Sequence, residues 1–174
     1  GVTLSGGEPL MQPQFSLGLL RACRGQSLHT AFDTCGYASR DTLLAVAAEV
    51  DLFLYDLKCM DDQLHRAQTG VSNESILENL QALAAVHDNI WIRIPLIPGF
   101  NDSPDQLESA ARFVATLPGA RQVNLLPYHK LGTDEGRWSA ASDEASRVES
   151  ASGEHWRTLA AALRSTGLPV LIGG

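Results

Sequence analysis

Polar side chains at the ends of apolar segments are the feature of this sequence that could do chemistry. Four of them stand at or just after the end of a segment predicted to be a strand and one interrupts such a segment; they are Asp33, Asp56, Lys58, Arg93 and His129. The carboxyl ends of parallel strands lie at one edge of a sheet, where α/β folds bind their ligands. We therefore expect these side chains to lie close together. Carboxylates, cations and an imidazole at one edge suit a small zwitterionic or anionic ligand.

Each of these residues also has a purely structural explanation. Asp33 could close a turn or cap a helix, and Asp56 could form a local ion pair with Lys58, because residues i and i+2 of a strand point the same way. Arg93 could belong to a structural ion pair, since an unpaired buried charge is costly, and His129 could lie at the rim without a role. Their coincidence at one edge favours a ligand site.

The first residues of the chain predict a strand that runs into a glycine turn. Val2 to Leu4 are β-branched or apolar, as in a parallel strand. Gly6 and Gly7 lack a Cβ atom, which lets a ligand approach the backbone closely. Glu8 adds a charge at the rim of the site. An ordinary turn between strand and helix is the structural alternative.

Apolar segments and helical patterns alternate along the chain. Strands are predicted to start near residues 2, 28, 51, 90, 122 and 168. Helices are predicted over residues 13–24, from Ser39 or Asp41, from Ser72 or Asn73 to about 86, over about 103–116 and over about 145–164. Residues 61–70 are interpreted as a polar insertion, and 139–153 as a candidate flexible region. The alternation predicts a parallel sheet with right-handed crossovers, closed only partly into a barrel.

Composition excludes several classes of function. The chain has 174 residues, 44% of them hydrophobic, and a net charge of −7, which argues against nucleic acid as a partner. No apolar run is long enough for a membrane helix and no signal peptide is visible, so we expect a cytoplasmic protein. The three cysteines fit neither a disulfide framework nor a cluster. We expect Cys23 in the core, whereas Cys35 and Cys59 could face the site.

Six stretches in this order resemble the glycyl-radical-enzyme activating enzymes, a branch of the radical S-adenosylmethionine (radical SAM) superfamily that includes pyruvate formate-lyase activating enzyme. They spread over roughly residues 1–132. The stretches are Gly1-Val2-Thr3-Leu4-Ser5-Gly6-Gly7-Glu8-Pro9-Leu10; His29-Thr30-Ala31-Phe32-Asp33-Thr34-Cys35-Gly36; Asp56-Leu57-Lys58-Cys59-Met60-Asp61; His65 with Thr69-Gly70-Val71-Ser72-Asn73; Trp91-Ile92-Arg93-Ile94-Pro95-Leu96-Ile97-Pro98-Gly99-Phe100-Asn101-Asp102; and Asn124-Leu125-Leu126-Pro127-Tyr128-His129-Lys130-Leu131-Gly132.

The resemblance implies a partial (β/α)6 TIM-like barrel that holds S-adenosylmethionine beside a 4Fe–4S cluster. Residues 1–174 would be the C-terminal portion of the radical SAM core domain, with the first strand or strands missing. Gly7 and Asp33 would contact the methionine amino group, and Lys58 would pair with the carboxylate. Arg93 would lie near the reacting carbon, which makes Lys58 and Arg93 the implied catalytic residues.

Further contacts follow from the same resemblance. Asp56 and His129 would contact the ribose side of the cofactor, and the implied binding set also includes Gly6, Glu8 and Leu57. Some relatives bind a monovalent cation, here matching the following positions: Asp33, Thr34, Asp56 and the backbone of Leu54.

The implied reaction starts with one electron from the reduced cluster, supplied by a flavodoxin or ferredoxin. Cleavage of S-adenosylmethionine gives a 5′-deoxyadenosyl radical, which takes hydrogen from a backbone glycine of a partner glycyl radical enzyme in anaerobic metabolism. The alternatives are a degenerate barrel that only binds a ligand or partner, and a radical SAM reaction on a small molecule.

The chain departs from the family in two respects. The family's cluster motif, Cys-x-x-x-Cys-x-x-Cys, is expected upstream of Gly1, so we expect a piece of a larger protein that is inactive alone. Pro9 and Cys35 favour an activator of a diol or glycerol dehydratase, a choline lyase or an aryl-type lyase or decarboxylase over an activator of pyruvate formate-lyase.

Overall fold

Strands and helices alternate through the computed structural model, which describes residues 1–97, 100–127 and 153–173. The strands are β1 (Val2–Leu4), β2 (Thr30–Thr34), β3 (Leu52–Asp56), β4 (Ile90–Leu96), β5 (Ala120–Pro127) and β6 (Val170–Ile172). The helices are α1 (Pro13–Gly25), α2 (Arg40–Ala47), α3 (Asp62–Thr69), α4 (Glu74–Ala84), α5 (Pro104–Val114) and α6 (Gly153–Leu163), with short 3-10 turns at Pro9–Met11 and Arg164–Thr166.

The six strands of the described residues form one parallel sheet in the order β1-β2-β3-β4-β5-β6. Each strand therefore pairs with the next one in sequence, which is the order that right-handed crossovers on one side of a parallel sheet produce. This singly wound arrangement is that of a partial barrel, which confirms the predicted α/β class. Among the described residues, none of the helices has the length and apolar character needed to cross a membrane.

In the central strands β3 and β4, one face of the sheet is buried beneath the helices. Phe53 and Tyr55 of β3 and Ile92 of β4 are 0% exposed and belong to the main apolar cluster. Residues paired in register share a face, and the intervening residues on the other face are half-buried. That second face carries the following side chains: Asp33, Leu54, Asp56, Trp91, Arg93 and Asn124.

The segment interpreted as a polar insertion forms a helix, α3, between β3 and α4, and the sequence did not indicate this helix. Asp61 caps it by accepting a hydrogen bond from the Leu64 amide, and Gly70 ends it in the left-handed conformation at φ 80°. Only His65 of α3 is buried. The helix is therefore specified by its caps and by the Asp62–Arg66 ion pair across one turn.

The other helices lie close to their predicted positions. Ser39, one of the two proposed caps of α2, accepts a hydrogen bond from the Thr42 amide, and Ser103 caps α5 in the same way. The described part of the last helix begins at Gly153. Residues 145–152 of the predicted helix, and 139–152 of the candidate flexible region, lie outside the described residues.

Candidate functional site at the carboxyl edge of the sheet

Strand register brings the predicted aspartates and arginine together. Asp56 is the last residue of β3 and lies opposite Arg93 of β4, while Asp33 near the end of β2 lies opposite Leu54. Asp33 and Asp56 project from the half-buried face at the ends of β2 and β3, and Arg93 projects from the same face in the middle of β4, level with Asp56. The sequence-based expectation of a shared edge therefore holds for these three charged residues.

Arg93 forms an ion pair with each of the two aspartates. Its Nε donates to Asp56 Oδ1 over 2.8 Å, and its Nη2 lies 2.7 Å from the same oxygen. Nη2 also donates to Asp33 Oδ1. The other Asp33 oxygen, Oδ2, accepts a hydrogen bond of 2.9 Å from the Ser5 hydroxyl. Hydrogen bonds and ion pairs therefore link the loop after β1 to β2, β3 and β4 in one continuous network.

Burial sets the electrostatics of this group. About a fifth of each side chain is exposed: 19% for Arg93, 22% for Asp33 and 21% for Asp56. Burial raises the pKa of Asp56 above its ordinary value, although the Arg93 charge acts against the rise. Burial works against the Arg93 charge as well, but the two aspartates outweigh it and raise the pKa of Arg93. Arg93 therefore remains a cation at any physiological pH.

Lys58 lies on the loop after β3 and is half-buried. Its ammonium forms no ion pair and no hydrogen bond with the described residues, so the alternative of a local Asp56–Lys58 pair was wrong. The charge is close enough to act downward on the pKa of Asp56 and of Cys35, against the larger effect of burial. A cation at the rim of an acidic pair is suited to a ligand carboxylate.

Glu8 joins the β1 loop to the β2 loop, a role that the sequence did not indicate. Its Oε1 accepts hydrogen bonds from the Thr34 hydroxyl (2.7 Å) and the Leu10 amide (3.1 Å). Its Oε2 accepts from the Cys35 amide (2.9 Å) and thiol (3.1 Å). Burial, and then the Glu8 charge, raise the pKa of the Cys35 thiol to about 11. Cys35 is therefore held as a neutral thiol. Glu8 holds the loops after β1 and β2 together, and we call this set of hydrogen bonds the Glu8 clasp.

The glycine turn leaves open space beside the acidic pair. Gly6 has φ 111°, a conformation that favours glycine. A Cβ atom on Gly6 or on Gly7 would meet nothing within 4 Å. The backbone is thus accessible to a ligand here. Leu57, also predicted to bind, is 2% exposed and its amide donates to the Arg93 carbonyl over 2.9 Å.

Most of the residues predicted to bind a monovalent cation already have other partners in the described structure. Thr34 Oγ donates to Glu8 and accepts from the Gly36 amide over 2.9 Å, so its lone pairs are partly used. The Arg93 guanidinium already lies between Asp33 and Asp56, and the monovalent cation stays a prediction. Within the described ranges, no three His, Cys, Asp or Glu side chains gather as a metal site.

The cysteines do not form a cluster site. Cys23 is buried on α1, as expected. Cys59 is 4% exposed and packs with Ile97 and Phe100. Its thiol is also hydrogen-bonded to Gln106, so the expectation that Cys59 faces the ligand was wrong. His129 lies outside the described residues.

Comparison with known proteins extends this picture. The family model of the Radical SAM superfamily matches residues 1–114. The isethionate sulfite-lyase activating enzyme of Nitratidesulfovibrio vulgaris is 47% identical over 137 residues, which are 78% of this chain and 44% of that protein. The choline trimethylamine-lyase activating enzyme of Oleidesulfovibrio alaskensis is 45% identical over 135 residues, which are 76% of this chain and 44% of that protein. The chain thus spans less than half the length of these relatives.

A solved structure supports the same assignment. The crystal structure of a domain of pyruvate-formate lyase-activating enzyme from Bacteroides vulgatus superimposes with a TM-score of 0.81 at 36% identity, covering 100% of this chain and 99% of that one. The match to the family model covers more than half of the chain. The chain belongs to the radical SAM superfamily.

Proposed function

We propose that this chain is part of an activating enzyme that generates a radical on a backbone glycine of a partner glycyl radical enzyme. The observation that carries the proposal is the Asp33–Arg93–Asp56 group, held beside an open glycine turn at the carboxyl edge of the sheet. Identity of 45% and 47% to two such activating enzymes supports the partner class. Both relatives activate lyases other than pyruvate formate-lyase, in keeping with Pro9 and Cys35.

The described side chains fit a zwitterionic cofactor such as S-adenosylmethionine. Its amino group would be held by Asp33 and the backbone at Gly7. The two carboxylates beside one guanidinium carry a net negative charge, which favours a cation. Its carboxylate would be held by Lys58, whose ammonium has no partner among the described residues. Gly6, Glu8 and Leu57 would shape the backbone around it. Asp56 and His129 are proposed for the ribose.

The cysteines of this chain do not fit a 4Fe–4S cluster, and its ligands would have to come from other residues. When bound, the cofactor and a reduced cluster supply the radical chemistry, with an electron from a flavodoxin- or ferredoxin-like donor. The residues described here bind and orient the cofactor. Arg93 and Asp56 keep the edge of the site charged and ordered, and the buried strands beneath it exclude water.

An anaerobic assay of the full-length gene product tests this function. The protein is purified without oxygen, reconstituted with iron and sulfide, reduced, and given S-adenosylmethionine. Formation of 5′-deoxyadenosine is measured, with the 174-residue chain as the control, and a glycyl radical on candidate partners is measured by electron paramagnetic resonance. We expect both products from the full-length protein.

Each other outcome selects an alternative. If 5′-deoxyadenosine is formed and a small molecule is consumed in place of any partner glycine, the chain serves a radical reaction on a small molecule. If the reconstituted protein binds S-adenosylmethionine but cleaves none with any partner, the non-catalytic barrel replaces the activating enzyme.

A further inference from the structure

The loop that carries Lys58 is held by two buried asparagines. Three successive carbonyl oxygens of this loop each accept a hydrogen bond from an asparagine side chain. Asn101 Nδ2 donates to Lys58 O over 2.5 Å, and Asn73 Nδ2 donates to Cys59 O and to Met60 O, each over 3.0 Å. Asn101 is 2% exposed and Asn73 is 4% exposed. We call these two residues the β3-loop clamp.

Asn101 also fixes the end of the neighbouring strand. Its Nδ2 donates to Pro95 O over 2.7 Å, and its Oδ1 accepts from the Ile97 amide over 2.8 Å. Both functional groups of the amide are therefore used, and they tie the Lys58 backbone to the strand that carries Arg93. Hydrogen bonds buried in this way are costly to break, because the remaining carbonyls lose their partner.

Asn73 is directed at the same loop although its position suits a different task. It immediately precedes α4, where asparagine side chains commonly cap the helix. Here its side chain makes no cap hydrogen bond, and the Glu74 amide donates to the Ser72 hydroxyl instead. The Asn73 side chain bonds two loop carbonyls in place of the helix end. It therefore stabilises the conformation of the loop.

This geometry matters because the Lys58 side chain has no partner of its own in the described part of the chain. A lysine has four rotatable side-chain bonds, so where its ammonium can reach depends on where its backbone is held. We propose that Asn101, assisted by Asn73, is a positioning residue that aims Lys58 at the carboxylate of the cofactor. The proposal rests on the role given to Lys58 in the proposed function.

A double-mutant cycle tests whether Asn101 acts through Lys58. Binding of S-adenosylmethionine to the reconstituted full-length protein is measured by calorimetry for the wild type, Asn101→Ala, Lys58→Met and the double variant. Asn101→Ala is expected to weaken binding about fivefold to tenfold in the wild type and less than about twofold in the Lys58→Met background. Thermal unfolding of each variant shows that it is folded at the temperature of the titration.

Asn89→Ala is the matched control. Asn89 precedes β4 at the opposite edge of the sheet, and its Nδ2 donates to the Asp51 carbonyl over 2.7 Å. It loses the same chemical group and is expected to leave the affinity unchanged. If Asn101→Ala does not fold, Asn73→Ala takes its place in the same cycle, because Asn73 holds the next two carbonyls of the same loop.

The outcomes separate the two ideas. If Lys58→Met binds as tightly as the wild type, the proposed role of Lys58 fails and the clamp has nothing to position. Two results would overturn the inference although Lys58→Met binds weakly. In the first, Asn101→Ala binds as tightly as Asn89→Ala; in the second, Asn101→Ala weakens binding equally in the wild type and in the Lys58→Met background. In either case Asn101 is only structural. Loss of affinity that disappears in the Lys58→Met background supports it.

Discussion

Arg93 shows how a single charged residue in an apolar strand organises a site. Its neighbours in β4, Ile92 and Ile94, are buried under the helices. The alternation of the strand turns Arg93 to the opposite face, where the two aspartates meet it. A guanidinium at this depth is stable only with such partners, because an unpaired buried charge is costly. The same charge therefore serves both the fold and the site.

Removing this charge is expected to lower stability more than removing a surface charge. Arg93→Met leaves Asp33 and Asp56 beside each other without the guanidinium between them, and a loss of about 2 kcal/mol in the free energy of unfolding is expected for this mostly buried group. Urea unfolding of the variant and of the wild type measures this loss of stability. Arg40→Met is the control, since the Arg40–Glu78 pair is more than half exposed and should contribute less than about 0.5 kcal/mol.

The deficit of Arg93→Met is expected to depend on pH. Burial already raises the pKa of Asp56, and loss of the guanidinium raises that pKa further. The folded variant then binds a proton more readily than the unfolded chain, so its stability recovers as pH falls through the raised pKa of Asp56. A deficit no larger than that of Arg40→Met, or one that grows toward low pH, would contradict this account.

At the scale of the elements, the loops after the strands are held by specific side chains. Glu8 clasps the β2 loop, and Asn79 Nδ2 donates to the carbonyls of Gly36 and Ala38 in the same loop, each over 2.8 Å. Asn73 and Asn101 hold the β3 loop. Glu8 accepts from a backbone amide, and the three buried asparagines donate to backbone carbonyls that no strand or helix can pair. Ordered loops of this kind keep a site in place before the ligand arrives.

Helix α3 carries a pH-dependent element of stability. Asp62 accepts hydrogen bonds from Arg66, Ser72 and the Asn73 amide, which lower the pKa of Asp62 to about 2, with Arg66 the largest cause. A carboxyl whose folded pKa is depressed contributes stability above its unfolded value of 3.8 and loses it as pH falls toward about 2.

Asp62→Asn is therefore expected to flatten the fall of stability between about pH 4 and about pH 2, measured by urea unfolding. Asp88→Asn is the matched control for loss of one negative charge, because Asp88 is 91% exposed and lies far from α3 in sequence. An equal slope for Asp62→Asn and wild type would refute the role of this carboxylate.

At the scale of the whole molecule, stability is expected to peak in the centre of the sheet. Phe32, Phe53 and Ile92 of the middle strands are 0% exposed, whereas Leu171 and Ile172 of β6 are 48% and 49% exposed. Local opening needs less free energy where few apolar contacts are lost. The site is built on β2, β3 and β4, so its charged residues stand on the most stable part of the sheet.

Amide hydrogen exchange followed by mass spectrometry checks this distribution. Peptides from β2, β3 and β4 should exchange slowest, and peptides from β6 faster, after correction for intrinsic rates. Central variants of the core, such as Leu80→Ala, should speed exchange in the middle strands. Uniform protection across the sheet, or slower exchange in β6 than in β3, would argue against a stable centre.

The sequence by itself determined the strands, their parallel class and the edge at which the polar residues gather. Apolar runs that end in charge are local patterns, and parallel topology brings all such ends to one edge. The positions of Asp33, Asp56 and Arg93 along the chain were therefore enough to select them as candidate site residues. Among the described helices, α3 was missed, because its residues are mostly polar and His65 is the one it buries.

Only the tertiary structure decided which of these groups touch. Arg93 lies 37 residues from Asp56 and 60 from Asp33 in sequence, so their pairing depends on strand register. The Glu8 clasp, the neutral Cys35 thiol, the burial of Cys59 and the β3-loop clamp depend on loop conformation in the same way. Hydrogen bonds between distant loops have no periodic signature in a sequence, since they are fixed by the packing of the whole sheet.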